Sequence, residues 1–134
     1  MKADANTESE VIAVINKLSK AFAKQDLNAT LALFAPDPDI VLIGPEADVR
    51  GVGLTEIKAA IQRSFEPLEG ASVKIDRYLV SSKGPTAWVT ADANIHVKAS
   101  GQETDLQLRL TAVLEQREDK WFIMQCHDSL PAVG

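Results

Sequence analysis

The apolar residues of this chain change their spacing near Ser72: before it they recur every three or four positions, and after it they alternate. Helical periodicity first and strand periodicity afterwards confine the chain to two layers, with helices segregated on one side of a sheet. Val11, Ile15, Leu18 and Phe22 form one apolar stripe, and Thr7-Glu8-Ser9-Glu10 has the T-x-x-E form that opens a helix. A second helix is expected from Leu27 to Phe34, stopped by Pro36 and Pro38. A third covers 54–65, with Leu54, Ile57, Ile61 and Phe65 in register. Between them IVLI (40–43) reads as a buried strand and Val49-Arg50 as a brief return strand.

Beyond Ser72, segments 73–81, 86–99, 103–116 and 120–129 read as long strands, joined by short turns containing Lys83-Gly84, Ser100-Gly101 and Glu118-Asp119. The expected fold is α+β: three N-terminal helices packed on a curved antiparallel sheet. With 134 residues the chain fits one domain, expected over 10–131, with a flexible N-terminus at 1–9 and a tail at 132–134.

The chain carries 14 basic and 19 acidic residues, and the basic ones are scattered, so no nucleic-acid surface is expected. No apolar run approaches the ~20 residues that span a bilayer. The start MKADANTESE has no apolar signal core, which leads to a cytoplasmic expectation. Cys126 is the single cysteine, and its strand neighbours Phe122 and Met124 mark it as a buried, inert thiol. The two histidines, His96 and His127, are too few for a metal cluster, and no cofactor is expected.

Two turns set a register. If Ser100-Gly101 is a two-residue turn, Lys98 faces Glu103, His96 faces Asp105 and Asp92 faces Arg109. If Glu118-Asp119 is another, Arg109 also faces Asp128. The resulting row Asp92–Arg109–Asp128 places opposite charges side by side. One sheet face then carries alanines and leucines (Ala91, Ala93, Leu110 and Ala112 among them) together with Gln125 and His127, and the helices cover it. The other carries Trp88, Thr90, Asp92, Arg109, Thr111, Phe122, Met124 and Asp128. A solvent face rarely combines Trp88, Phe122 and Met124, so this second face is expected to bind another copy as a homodimer.

Three helices followed by a bent sheet ending in R-L-T-A-V-L…D-K-W-F-I…H-D-S-L-P resemble the SnoaL-like part of the nuclear transport factor 2-like (ketosteroid isomerase-like) superfamily. Its carriers here are Arg109, Thr111, Lys120-Trp121, Ile123, His127, Ser129 and Pro131, with DIVLIGP…VRG…EI at 39–57. The tail is also similar to the association domain of calcium/calmodulin-dependent protein kinase II, although Ala93 and Ala112 stand where that domain's pocket carries arginines. The resemblance implies a cone-shaped, cystatin-like fold with a cavity between the helices and the concave sheet face. Here that face places Gln125, Ala91, Ala93, Leu110 and Ala112 along the pocket, and the alanines suit a small apolar ligand. The activity the resemblance implies is metal-free general acid–base chemistry of an isomerase or cyclase-like lyase. His127 is the expected catalytic base, and Tyr78 and Asp76 join it if they face inward. The competing expectation is a non-catalytic association scaffold with a vestigial cavity.

Overall fold

The computed structural model describes residues 1–132. In chain order the elements are α1 (Ala5–Lys24), α2 (Leu27–Leu31), β1 (Val41–Ile43), β2 (Arg50–Val52), α3 (Gly53–Phe65), β3 (Leu68–Lys83), β4 (Thr86–Ala99), β5 (Gln102–Arg117) and β6 (Lys120–Ser129). The six strands form one curved sheet in the order β2-β1-β6-β5-β4-β3. β3 to β6 are an antiparallel meander, and β1 adds to β6 in parallel, with Leu42 opposite Cys126. The expected α+β architecture is therefore present. Its core joins Val11 and Ile15 of α1 and Ile57 of α3 to Val80, Val89, Leu114 and Ile123 of the sheet, all essentially inaccessible.

The local differences from the sequence expectation have identifiable causes. Residues 1–9 are not a flexible lead-in. The Ala3 amide donates to the Val80 carbonyl and the Ser82 amide to that of Met1, covering part of the free edge of β3. α1 begins at Ala5 because the Asp4 carboxylate accepts from the Thr7 amide at 2.8 Å, so the cap lies three residues before the expected one. α2 stops at Leu31 instead of Phe34. The chain leaves the helix to bond β6, with the Ile123 amide donating to Leu33 and the Ala35 amide to Ile123. Of the expected tail at 132–134, residues 133 and 134 lie outside the described residues.

The register between β4 and β5 is the expected one, with Lys98/Glu103, His96/Asp105 and Asp92/Arg109 directly opposed. β5 and β6 also start as expected, with Arg117 opposite Lys120 and Leu114 opposite Ile123. A bulge then intervenes: Val113 pairs with Gln125, and Met124 is left as the extra residue. Beyond it every side chain of β6 changes face. Asp128 falls opposite Leu110, and Arg109 meets Ser129, so the row Asp92–Arg109–Asp128 does not form. Asp92 instead accepts from the Arg77 Nε at 2.6 Å. The shift buries the Cys126 thiol against Ala112 and Leu42 and leaves the Gln125 amide in solvent, where it needs no buried partner.

The loop after α2 is tied to the sheet by charge. Arg117 donates to both oxygens of Asp37, at 2.7 and 2.5 Å, and through Nε to Glu115 at 2.7 Å. The guanidinium holds Asp37 below the usual carboxylate range. On the other side, Gly51 of β2 lets α3 approach: a Cβ there would meet the Glu56 carbonyl carbon and the Ile57 amide nitrogen at 2.7 Å. Gly51→Ala is therefore expected to push α3 off β2 and destabilise the fold by about 2 kcal/mol, within the range for overpacking. Urea unfolding measures this, and a change below about 0.5 kcal/mol would contradict the tight packing.

Candidate functional site

A cavity of about 470 Å³ lies between the helices and the inner sheet face. Its walls come from every layer: Leu18 and Phe22 of α1, Ile61 and Phe65 of α3, Val73 and Ile75 of β3, Ala93 and Ile95 of β4, and Leu106, Leu108 and Leu110 of β5. Phe22 and Phe65 meet edge to face at 5.9 Å, closing one wall as a unit. Leu18 and Phe22 thus line the space and do not fill it. The exposed lining residues Glu46, Asp48 and Arg63 mark its rim, where Arg63 donates to the Asp48 carbonyl at 2.7 Å.

The polar groups inside are few. Thr30 and Ser19 direct their hydroxyls to their own backbone, to the Asp26 and Ile15 carbonyls. Asp128 differs. Its carboxyl enters the cavity beside Cys126, whose Sγ lies 3.6 Å from Oδ1. No cation accompanies it among the described residues, and burial raises its pKa to about 7. Burial also pushes the Cys126 thiol well above its ordinary value, so that thiol stays protonated.

The bulge at Met124 redistributes the expected site. His127 is exposed on the outer face, opposite Thr111 and Ile43, and Gln125 is exposed opposite Val113 and Val41. Neither reaches the cavity. Ala93 and Leu110 do line it, while Ala91 and Ala112 are packed in the core outside the lining. Tyr78 pairs with the inward Ala91, but β3 is the sheet edge, and the ring stands 45% exposed away from the cavity. The turn before β4 is Gly84-Pro85, since Lys83 pairs with Thr86, and Asp76 is the extra residue of a second bulge, exposed to solvent.

The expected outer face keeps Trp88, Thr90, Arg109 and Thr111 exposed and Asp92 half-buried. Phe122 and Met124 are half-buried against the core, and Asp128 has left this face for the cavity. Sequence reasoning therefore missed Asp128 as an inner residue. The available signal was Cys126: of the adjacent Gln125 and Cys126, the thiol is the better candidate for burial.

At the far end of the outer face, His96 bridges Asp105 at 2.6 Å and Glu103 at 3.0 Å, and these carboxylates raise its pKa. No group of three or more His, Cys, Asp or Glu is placed to hold a metal among the described residues, and no described helix is long and apolar enough to cross a membrane.

Several solved structures share this fold. A nuclear transport factor 2-like superfamily protein from Salmonella enterica superposes with a TM-score of 0.87 at 20% identity, covering 98% of this chain and 95% of the other. A protein from Streptomyces avermitilis, provisionally assigned as a dehydratase of the same family, gives 0.86 at 18% identity over 98% and 100%. A Xanthomonas campestris protein, provisionally assigned as a calcium/calmodulin dependent protein kinase II association domain, gives 0.80 at 24% identity over 92% and 88%. No curated protein matches the sequence. The SnoaL-like domain family matches residues 11–133, from the apolar stripe of α1 through all six strands, and this chain belongs to it.

Proposed function

We propose that this protein takes up a small, largely apolar molecule in the cone and carries out proton transfer on it, with Asp128 in the role expected of His127. The observation that carries this reading is the Asp128 carboxyl, paired with no cation among the described residues, projecting among apolar walls in an open cavity. The volume of about 470 Å³ is within the usual range for small-molecule sites. With a pKa of about 7, the carboxyl is available near neutrality both as base and as acid. Taking a proton from a carbon beside a ligand carbonyl breaks that C–H bond and moves its electron pair into an enolate. Returning the proton to a different carbon completes an isomerisation. Loss of a leaving group from the same enolate would complete an elimination, the reaction class in the name of the Streptomyces avermitilis neighbour.

The reading includes a homodimer formed through the outer face. Two successive cross-strand rows, Ser81–Trp88–Val113–Gln125 and Leu79–Thr90–Thr111–His127, contain no Lys, Arg, Asp or Glu. In them Leu79, Trp88 and Val113 are exposed, and depletion of charge around an aromatic anchor is the composition of an interface core. Trp88→Glu combined with Val113→Glu should give a folded monomer by sedimentation. A wild-type protein that sediments as a monomer at micromolar concentration would remove the dimer from the reading.

The catalytic part is tested with cyclic ketones in D2O, following deuterium uptake at the carbon beside the carbonyl. Asp128→Asn should lower the rate by at least about 100-fold. It should still take up the uncharged dye Nile red, and His127→Ala should leave both properties unchanged. Dye uptake without exchange on any ketone would favour a binding scaffold.

Stability offers an independent check. The folded carboxyl titrates near 7 and the unfolded one near 3.8, so the folded state holds the extra proton between these values. Stability should therefore fall as pH rises through that window. Asp128→Asn should remove the Asp128 share of this fall, leaving only what His96, whose pKa is also raised, contributes above its ordinary value. At pH 8 the variant should be more stable, by at most about 4 kcal/mol. Thermal midpoints of both proteins at pH 5 and pH 8 decide it.

A further inference from the structure

Cys126 and Asp128 occupy alternate positions of β6 on the inner face, opposite Ala112 and Leu110. The thiol is fully buried, remains protonated, and donates to Oδ1 of Asp128 across 3.6 Å. Among the described residues this is the carboxyl's sole hydrogen-bond partner, and no buried side-chain oxygen is left both inaccessible and unpartnered. The second oxygen of Asp128 therefore keeps access to the cavity that the residue lines. The other ionisable lining groups are Glu46, Asp48 and Arg63 at the rim, and none pairs with Asp128. His127, between the two, points to the outer face.

A carboxyl with no fixed neighbour turns broadly about its last torsion, whereas proton transfer needs it aimed. A thiol is a weak donor, but here it is rigid, dry and two residues away on the same strand. We propose that Cys126 is a positioning residue: its thiol ties Oδ1 of Asp128 to β6 and leaves the other oxygen aimed into the cavity. This rests on Asp128 as the proton-transfer group. It gives the buried cysteine a task beyond filling core volume, for which alanine or valine would serve.

The test titrates the Asp128 carboxyl in 13C-labelled protein without ligand, with Asp128→Asn used to identify its signal. Removing the donor in Cys126→Ala should raise the midpoint by about half a pH unit, roughly a threefold gain in proton affinity, because the thiol favours the charged form. Cys126→Ser, which restores a donor, should return the midpoint to the wild-type value or below it. An unchanged midpoint in a folded Cys126→Ala protein would overturn the proposal.

A second measurement covers the case in which the variants do not fold. The chain has one cysteine, so its S–H infrared stretching band is a single reporter. That band should shift as Asp128 titrates and should lose this pH response in Asp128→Asn. A band indifferent to both would also overturn the proposal. Neither readout involves a ligand. If the proton-transfer reading fails, deuterium exchange is absent while the coupled titration persists; if the positioning role fails, the coupling is absent while exchange survives.

Discussion

The bulge at Met124 is the feature on which the rest of the site depends. A strand repeats every two residues, so one extra residue exchanges the faces of everything after it. Upstream of the bulge, β6 is held in one phase. Trp121 and Ile123 point into the core beside Leu114, the Trp121 indole donates to Glu10 at 3.1 Å, and Ile123 bonds Leu33 and Ala35 through its backbone. Downstream it is held in the opposite phase, because β1 pairs in parallel with Leu42 against Cys126. Both halves are fixed by contacts distant in sequence, and the strand reconciles them only by carrying Met124 as an unpaired residue. Cys126 and Asp128 enter the cone as the result.

The cone stays open because strands and helices are unequal in reach. β3 and β5 each run 16 residues, whereas α3 has 13 and α2 has 5. At about 3.3 Å per strand residue against 1.5 Å per helical residue, the sheet far outruns the helices laid on it. Ala87, Val89 and Leu114 are fully covered, while Leu106 and Leu108 farther along the same face are only half-buried and line the cavity. Apolar walls without packed partners forgo dispersion contacts, a cost that a bound apolar molecule would offset.

These two features explain which parts of the fold were legible in the sequence. Strand bounds at 86–99 and 120–129 follow from alternation and turn residues, and the structure has the same bounds. The Ser100-Gly101 and Glu118-Asp119 turns are both two-residue turns with positive φ at each position, which is why the register beside them was correctly read. The bulge was not legible. In Trp121-Phe122-Ile123-Met124 both faces begin apolar, so alternation has no phase to read, and the contacts that set the phase come from Leu33, Ala35 and Leu42. One unread residue moved His127 out of the site and Asp128 into it. The early end of α2 has the same origin, a backbone pairing with β6 that no local propensity encodes.

The charges divide along the same line. On the outside several are matched: Arg117 with Asp37 and Glu115, Arg77 with Asp92, His96 with Asp105 and Glu103. Exposed pairs of this kind contribute little to stability individually, but each carboxylate in them has a basic side chain beside it. Inside the cone Asp128 has, among the described residues, only a thiol. A carboxyl desolvated by its apolar surroundings is unfavourable when charged, so it holds its proton to about neutral pH. A fold stabilised by packing alone would replace such a residue with leucine, as at the adjoining Leu110. Keeping an acid there lowers stability above neutral pH, and in the proposed reaction it supplies a group on the cavity wall that can exchange a proton near neutrality.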